Sequence, residues 1–324
     1  MTSTRQTMLT ISAVAALAIP GLVVAASSPA AAHMKAHCDQ TGRRAIDPIA
    51  ARGSTGTAHN HTFIGTRLFD TPDPTRADWL SLQQVGTTCA PAGDHAVYWV
   101  PTLRANGSPL DIKSSIAYYG CFQGPNTDQC ATGSTQVKAY PRDLRLVAGD
   151  PGATSAQDTD VVSWVCSQTG GNPVGPFSSP SEANCETRVP NNTGMAAHID
   201  FPSCWNGQLA DHSTDGNTAD ADGPGPRPDN VVYPTGYPSR TATCPATHPV
   251  ELPHLRLDVR WSCNDPSGDS WKCESDNVAL TSGGQFSLHA DFLNGWSDAG
   301  MTDLLACINT ESPHPHDGIT KCGG

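Results

Sequence analysis

The sequence predicts a mainly β protein, a disulfide-stapled antiparallel sandwich of jelly-roll type with a few short helices and long loops. Three observations predict it. Thirty glycines and 27 prolines in 324 residues interrupt the chain too often for long helices. Several runs alternate apolar and polar residues with the period of two that sends successive side chains to opposite faces of a strand. Twelve cysteines, an even number, all follow residue 32, which in an oxidising compartment reads as up to six disulfides.

The elements follow in chain order. Residues 1–32 read as a secretory signal, with Arg5 in the positive region, an apolar stretch from Met8 to Val24 broken by Pro20, and Ala30-x-Ala32 as the cleavage site. Residues 33–324 are then one secreted, extracellular, β-rich domain, expected to be a monomer. No later stretch has the roughly 20 apolar residues of a membrane span. Thr75 to Gln84 carries Trp79, Leu80 and Leu82 behind an N-cap candidate in Thr75, and reads as a short helix. Ala96–Leu103, Ile112–Tyr119, Leu144–Ala148 and Val161–Cys166 are rich in β-branched and aromatic residues and read as strands. Gly170 to Asn192 and Gly207 to Tyr237 read as loops. Leu252 to Trp261 alternates cleanly, with Leu255, Leu257, Val259 and Trp261 on one face and His254, Arg256, Asp258 and Arg260 on the other. The run Gln285–Trp296 is a further strand, and Thr302 to Ile308 a second helix with Leu304, Leu305 and Ile308 on one side.

Loop closure favours near-neighbour bridges, Cys121–Cys130, Cys166–Cys185, Cys263–Cys273 and Cys307–Cys322, leaving Cys38, Cys89, Cys204 and Cys244 for longer ones. No two cysteines have the C-x-x-C spacing of a zinc site. The formal net charge is −12, and it becomes more negative once Arg5 leaves with the signal. An acidic exported chain without a basic run is a poor ligand for nucleic acid or for an anionic membrane. The sequence has no G-x-S-x-G, H-E-x-x-H, P-loop or G-x-G-x-x-G motif, which removes the chemistries those motifs serve.

Three strand-like segments carry reactive residues two apart. In the run ending at Trp296, Phe286, Leu288, Ala290 and Phe292 share one face while Ser287, His289 and Asp291 share the other. His198 and Asp200 repeat this around Ile199, and His59 and His61 flank Asn60. Asp291, His289, Asp200 and His198 are candidate catalytic residues. A carboxylate beside an imidazole can orient it and raise its basicity, and Asp200 with Asp291 could supply the two carboxylates of glycosidic cleavage. His59 and His61 project from one face and are candidate ligands of a divalent metal, or alternatively line a polar groove. Trp205, Trp296 and Tyr119 lie among polar residues and are candidate sugar-stacking rings.

Seven stretches carry a resemblance: Asp47-Pro48-Ile49, His59-x-His61-x-Phe63-x-Gly65, Tyr98-Trp99-Val100-Pro101-x-Leu103, Tyr118-Tyr119, Phe201 to Gly207, His248-Pro249-Val250-x-Leu252-Pro253 and His289 to Trp296. In these the chain is similar to a family of exported fungal and actinobacterial proteins catalogued as domain of unknown function nineteen ninety-six, over roughly residues 45 to 308. The resemblance implies a polysaccharide or cell-wall glycan as partner, because some fungal relatives look fused to modules that bind cell-wall glycans. The expectation is therefore a secreted carbohydrate-active enzyme, a glycoside hydrolase or polysaccharide lyase, in which the three His/Asp segments meet in one cleft. A non-catalytic glycan-binding or metal-binding secreted protein is the alternative.

Overall fold

The computed structural model describes residues 34–121, 137–168, 172–189, 192–209, 230–239, 242–262 and 277–309. The signal segment, part of the Gly207–Tyr237 loop, and Cys130, Cys263, Cys273 and Cys322 lie outside them.

The alternating runs form two large antiparallel sheets. One has six strands in the order β1 (Met34–Cys38), β7 (Asp111–Gly120), β15 (His254–Ser262), β11 (Asn192–Asp200), β9 (Val162–Gln168) and β10 (Val174–Phe177). The other has five, in the order β2 (Gln40–Arg44), β3 (His61–Gly65), β4 (Val97–Pro101), β17 (His289–Leu293) and β8 (Arg145–Gly149). Two three-stranded sheets are smaller. One joins β13 (Val231–Val232), β12 (Cys204–Trp205) and β14 (Val250–Glu251); the other joins β16 (Val278–Leu280), β5 (Leu103–Ala105) and β6 (Ser108–Pro109).

Strand parity decides what each face does. From the six-stranded sheet Tyr119, Leu255, Leu257, Val259, Trp261, Met195, Ala197, Ile199 and Trp164 point inward. From the five-stranded sheet Ile64, Tyr98, Val100, Leu146, Ala148, Ala290 and Phe292 meet them in one core. Phe201 and Phe292 touch across it with ring centres 6.3 Å apart. The Tyr98 and Tyr119 hydroxyls hydrogen-bond from sheet to sheet, and Tyr98 also donates to the buried Asp94 carboxylate at 2.7 Å.

The five-stranded sheet is covered on its other face as well. Phe63, Val97, Trp99 and Leu293 point outward there, under Ile46, Ile49, Leu68, Ala77 and Leu82. The covering segment, residues 45–84, is a roof of turns and short helical pieces. Its helix is shorter than the sequence predicts: α1 is Trp79–Leu82, capped by Asp78, while Asp73 and Pro74 open a separate 3-10 turn at Pro74–Arg76. Asp78 accepts from the Ser81 amide, a better cap than Thr75 offers, and Ala77 leaves helical geometry between the two pieces. Within the expected Gly170–Asn192 loop, the described residues 172–189 hold β10, α2 (Pro180–Ala183) and α3 (Cys185–Arg188). The last helix, α4, starts earlier than expected and spans Asp298–Ile308, with Ser297 capping Gly300.

Disulfides staple the sheets at their ends. Cys166–Cys185 is the expected near-neighbour pair, while Cys38–Cys89 and Cys204–Cys244 are long bridges among the four remaining cysteines. Cys121 and Cys307 are each disulfide-bonded. Among the described residues no helix is long and apolar enough to cross a membrane.

Candidate metal centre

The same parity that sends Ala290 and Phe292 into the core turns His289 and Asp291 toward the roof. On β3, two strands away, His61 shares the roof-side face with Phe63. His59 arrives just before the strand, and Asp47 descends from the roof. The result is one cluster. The His59 and His61 ring centres are 4.1 Å apart, His59 and His289 5.0 Å, and His61 and His289 5.7 Å. The ligand atoms of these three imidazoles lie within 4.8 Å of one another, as do those of Asp47, His61 and Asp291. His61 belongs to both groups.

Backbone carbonyls set the protonation of two rings. His61 Nδ1 donates to the Ile46 carbonyl and His289 Nδ1 to the Ser287 carbonyl, each at 2.9 Å. A carbonyl only accepts, so each Nδ1 carries a proton, and the neutral His61 ring keeps a lone pair on Nε2. Each Nε2 stands near a carboxylate: His61 Nε2 is 4.0 Å from Asp47 Oδ2, and His289 Nε2 is 3.9 Å from Asp291 Oδ2. Asp47 is held by its other oxygen, which accepts from the Ile49 and Ala50 amides at 2.8 and 2.9 Å. His59 Nε2 and His61 Nε2 are buried and have no hydrogen-bond partner.

Burial makes the His59 and His61 imidazoles neutral. It pushes His59 down to about 4, and it holds His61 well below the usual histidine range, with His59 and His289 adding to the effect. Neutral imidazole nitrogens and carboxylate oxygens, with fixed tautomers behind them, form the donor set of a borderline divalent cation such as zinc, manganese, iron or cobalt. Donors on one ion at about 2.1 Å would stand roughly 3–4 Å apart, close to the separations present. No thiolate competes, because the described cysteines have no free thiol.

The other sequence candidates lie elsewhere. His198 and Asp200 alternate with core residues Ala197 and Ile199, so they face outward from the six-stranded sheet. That face is on the opposite side of the sandwich from His289 and Asp291. Asp200 and Asp291 therefore do not form a carboxylate pair, and the three polar segments do not share one cleft. Instead, Asp200 Oδ1 lies 3.0 Å from His254 Nε2, and His198 Nε2 lies 3.5 Å from Asp258 Oδ2 with the Arg256 guanidinium against its Nδ1. Tyr119 and Trp296 are fully enclosed in the core, edge to face at 5.3 Å, and offer no ring face to a sugar. It is Tyr118, one residue earlier, that faces outward, beneath Lys35 at 5.4 Å. Trp205 is half-buried, its Nε1 donating to the Gln208 carbonyl at 2.7 Å. Asp47 was missed as a site residue, since an aspartate before proline reads as a turn; its only sequence trace is the Asp47-Pro48-Ile49 stretch.

A family model described as Domain of unknown function (DUF1996) matches residues 47–296. The chain belongs to that family. All five residues of the centre fall within the DUF1996 span, Asp47 at its first position. No curated protein and no solved structure matches the chain.

Proposed function

We propose that this DUF1996 protein is an exported metal-dependent enzyme that acts on a polysaccharide, with its cation held by His59, His61, His289, Asp47 and Asp291. The observation that carries the metal assignment is His61. Its ring is sealed from solvent, its Nδ1 is committed to a carbonyl, and its Nε2 has no hydrogen-bond partner. It belongs both to a group of three imidazoles and to a group with two carboxylates, and in each group the ligand atoms lie within 4.8 Å of one another. Burying that many polar groups without a cation costs several kcal/mol, which a bound ion offsets. Such an ion supplies Lewis acidity, polarising an oxygen or lowering the pKa of a bound water. The residues do the holding: the Ile46 and Ser287 carbonyls orient two rings, and the Asp47 turn fixes one carboxylate. The polysaccharide assignment rests on the signal-like N-terminus and on the resemblance to exported proteins of which some fungal members look fused to modules that bind cell-wall glycans. Export is also supported by the disulfides.

The test begins with elemental analysis of protein purified from the culture medium, before and after chelation and reloading. About one equivalent of a transition metal, lost in the His61→Ala variant, is expected. Metal-free native protein that takes up no transition-metal cation would sink the assignment. The loaded protein is then screened on polysaccharides for new reducing ends or unsaturated sugars, with chelated protein as control. If every glycan is left intact, the substrate class is wrong and a metal-binding protein remains.

A further inference from the structure

Resting on that metal reading, we infer that the centre keeps one exchangeable coordination position on its His59 side, and that this position takes a water-sized ligand, a water molecule or a monovalent anion. The argument starts from the asymmetry of the donors. Asp47 approaches His61 and Asp291 approaches His289. Among the described residues no carboxylate pairs with His59 within ion-pair distance. His59 is also the one member of the centre that solvent reaches. His61 is 0% exposed, His289 and Asp291 2% each, and Asp47 3%, whereas His59 is half-buried.

The remaining sides are closed by packing. Ile46, Ile49, Phe63, Trp99 and Leu293 form an apolar layer between roof and sheet. At the far edge Gly149 presses its backbone against Leu288 and His289 so closely that even a methyl group would stand 2.4 Å from the Leu288 carbonyl oxygen. A ligand completing the coordination shell therefore enters past His59. Five protein donors leave an octahedral ion one position, and four leave a five-coordinate ion one. Charge sets the class of ligand. A divalent cation between two carboxylates makes a neutral centre, and in a dry site a neutral centre accepts water or a single negative charge far more readily than a multivalent anion. The reacting species at the metal is thus a small molecule, and a polymer would meet it only at the His59 rim.

Cobalt(II) is the probe, because its visible bands report coordination number. The full mature protein is loaded with one equivalent of cobalt and titrated first with azide and then, in a separate sample, with benzoate. The expected result is a saturable shift of the bands with azide and none with benzoate. Bands that ignore azide at any concentration would mean a closed, purely structural ion, and would overturn this inference while leaving the metal reading intact. A shift with benzoate equal to that with azide would overturn the size restriction. Failure of cobalt, zinc and manganese alike to bind the mature protein would remove the metal reading itself, and this inference with it.

Discussion

Metal affinity should resist acid far better than an exposed histidine site does. The perturbation is a drop from pH 7 to pH 5.5. An imidazole with the ordinary value of about 6.5 goes from about three-quarters neutral to about one-tenth neutral over that range, an eightfold loss of the ligating form. Two such rings would cost roughly 70-fold in affinity. In this protein burial pushes His59 down to about 4 and His61 well below the usual range. Both rings therefore stay neutral at pH 5.5, and a cation displaces no proton from either. The sign for folding runs the same way. Folded values below the unfolded one mean that the contribution is complete above pH 6.5 and is lost as pH falls toward 4, up to about 3 kcal/mol for His59. The assay is competition against a chromogenic chelator at both pH values, corrected for the chelator's own protonation. The apparent Kd should rise by less than about tenfold. A rise of about 70-fold, the value for two ordinary rings, would refute the claim that the rings are held neutral by burial.

Three other outcomes are expected. Burial raises the Asp94 carboxyl from 3.8 to about 7, so its favourable contribution is complete below pH 3.8 and is lost as pH climbs through 7. Chemical denaturation of wild type and Asp94→Asn should show wild type losing roughly 4 kcal/mol relative to the variant between pH 4 and pH 8. Gly149→Ala should lower Tm and weaken metal binding together, since the added Cβ meets Leu288 O at 2.4 Å and His289 Cα at 2.7 Å. Gly56→Ala, also at positive φ but with open space around it, should cost only about 1 kcal/mol and leave the metal in place. Replacing both Cys38 and Cys89 by serine opens a bridge spanning 51 positions and should destabilise the protein by about 4 kcal/mol in guanidinium melts.

Period-two alternation made the sandwich legible. In Leu252–Trp261 the residues assigned to one face are the ones in the core, and in Gln285–Trp296 Leu288, Ala290 and Phe292 are, while Phe286, ahead of β17, is not. A strand has only two faces, and burying one fixes the other only where the strand runs. Helix ends were less legible, since Asp73 and Asp78 each cap a separate piece where one continuous helix was expected. The aromatic residues show why local polarity misleads. Tyr119 and Trp296 have polar neighbours in sequence, yet parity on β7 turns Tyr119 inward with Ala117, and Trp296 packs edge-on against it. The disulfides show the limit of the loop-closure rule. Cys38 and Cys89 are brought together by neighbouring segments, as the paired backbones of His37 and Ala90 show, and that proximity owes nothing to sequence separation.

The site divides along the same line. Parity within a strand says that His289 goes with Asp291 and His198 with Asp200, and both statements hold. It does not say which sheet each strand joins. The sheets turn their polar faces in opposite directions, so two equivalent-looking pairs end on opposite sides of the molecule. What separates the metal centre from its counterpart is the roof. Residues 45–84 cover the five-stranded sheet, bring Asp47 to His61, and exclude the water that would otherwise solvate three imidazoles. On the six-stranded sheet, cross-strand partners such as His254 and Asp258 satisfy Asp200 and His198, and no cation is needed there. A histidine and an aspartate two apart are thus ordinary strand decoration until a second layer dries them, and the short Asp47-Pro48-Ile49 turn is the part of this chain that does so at His61.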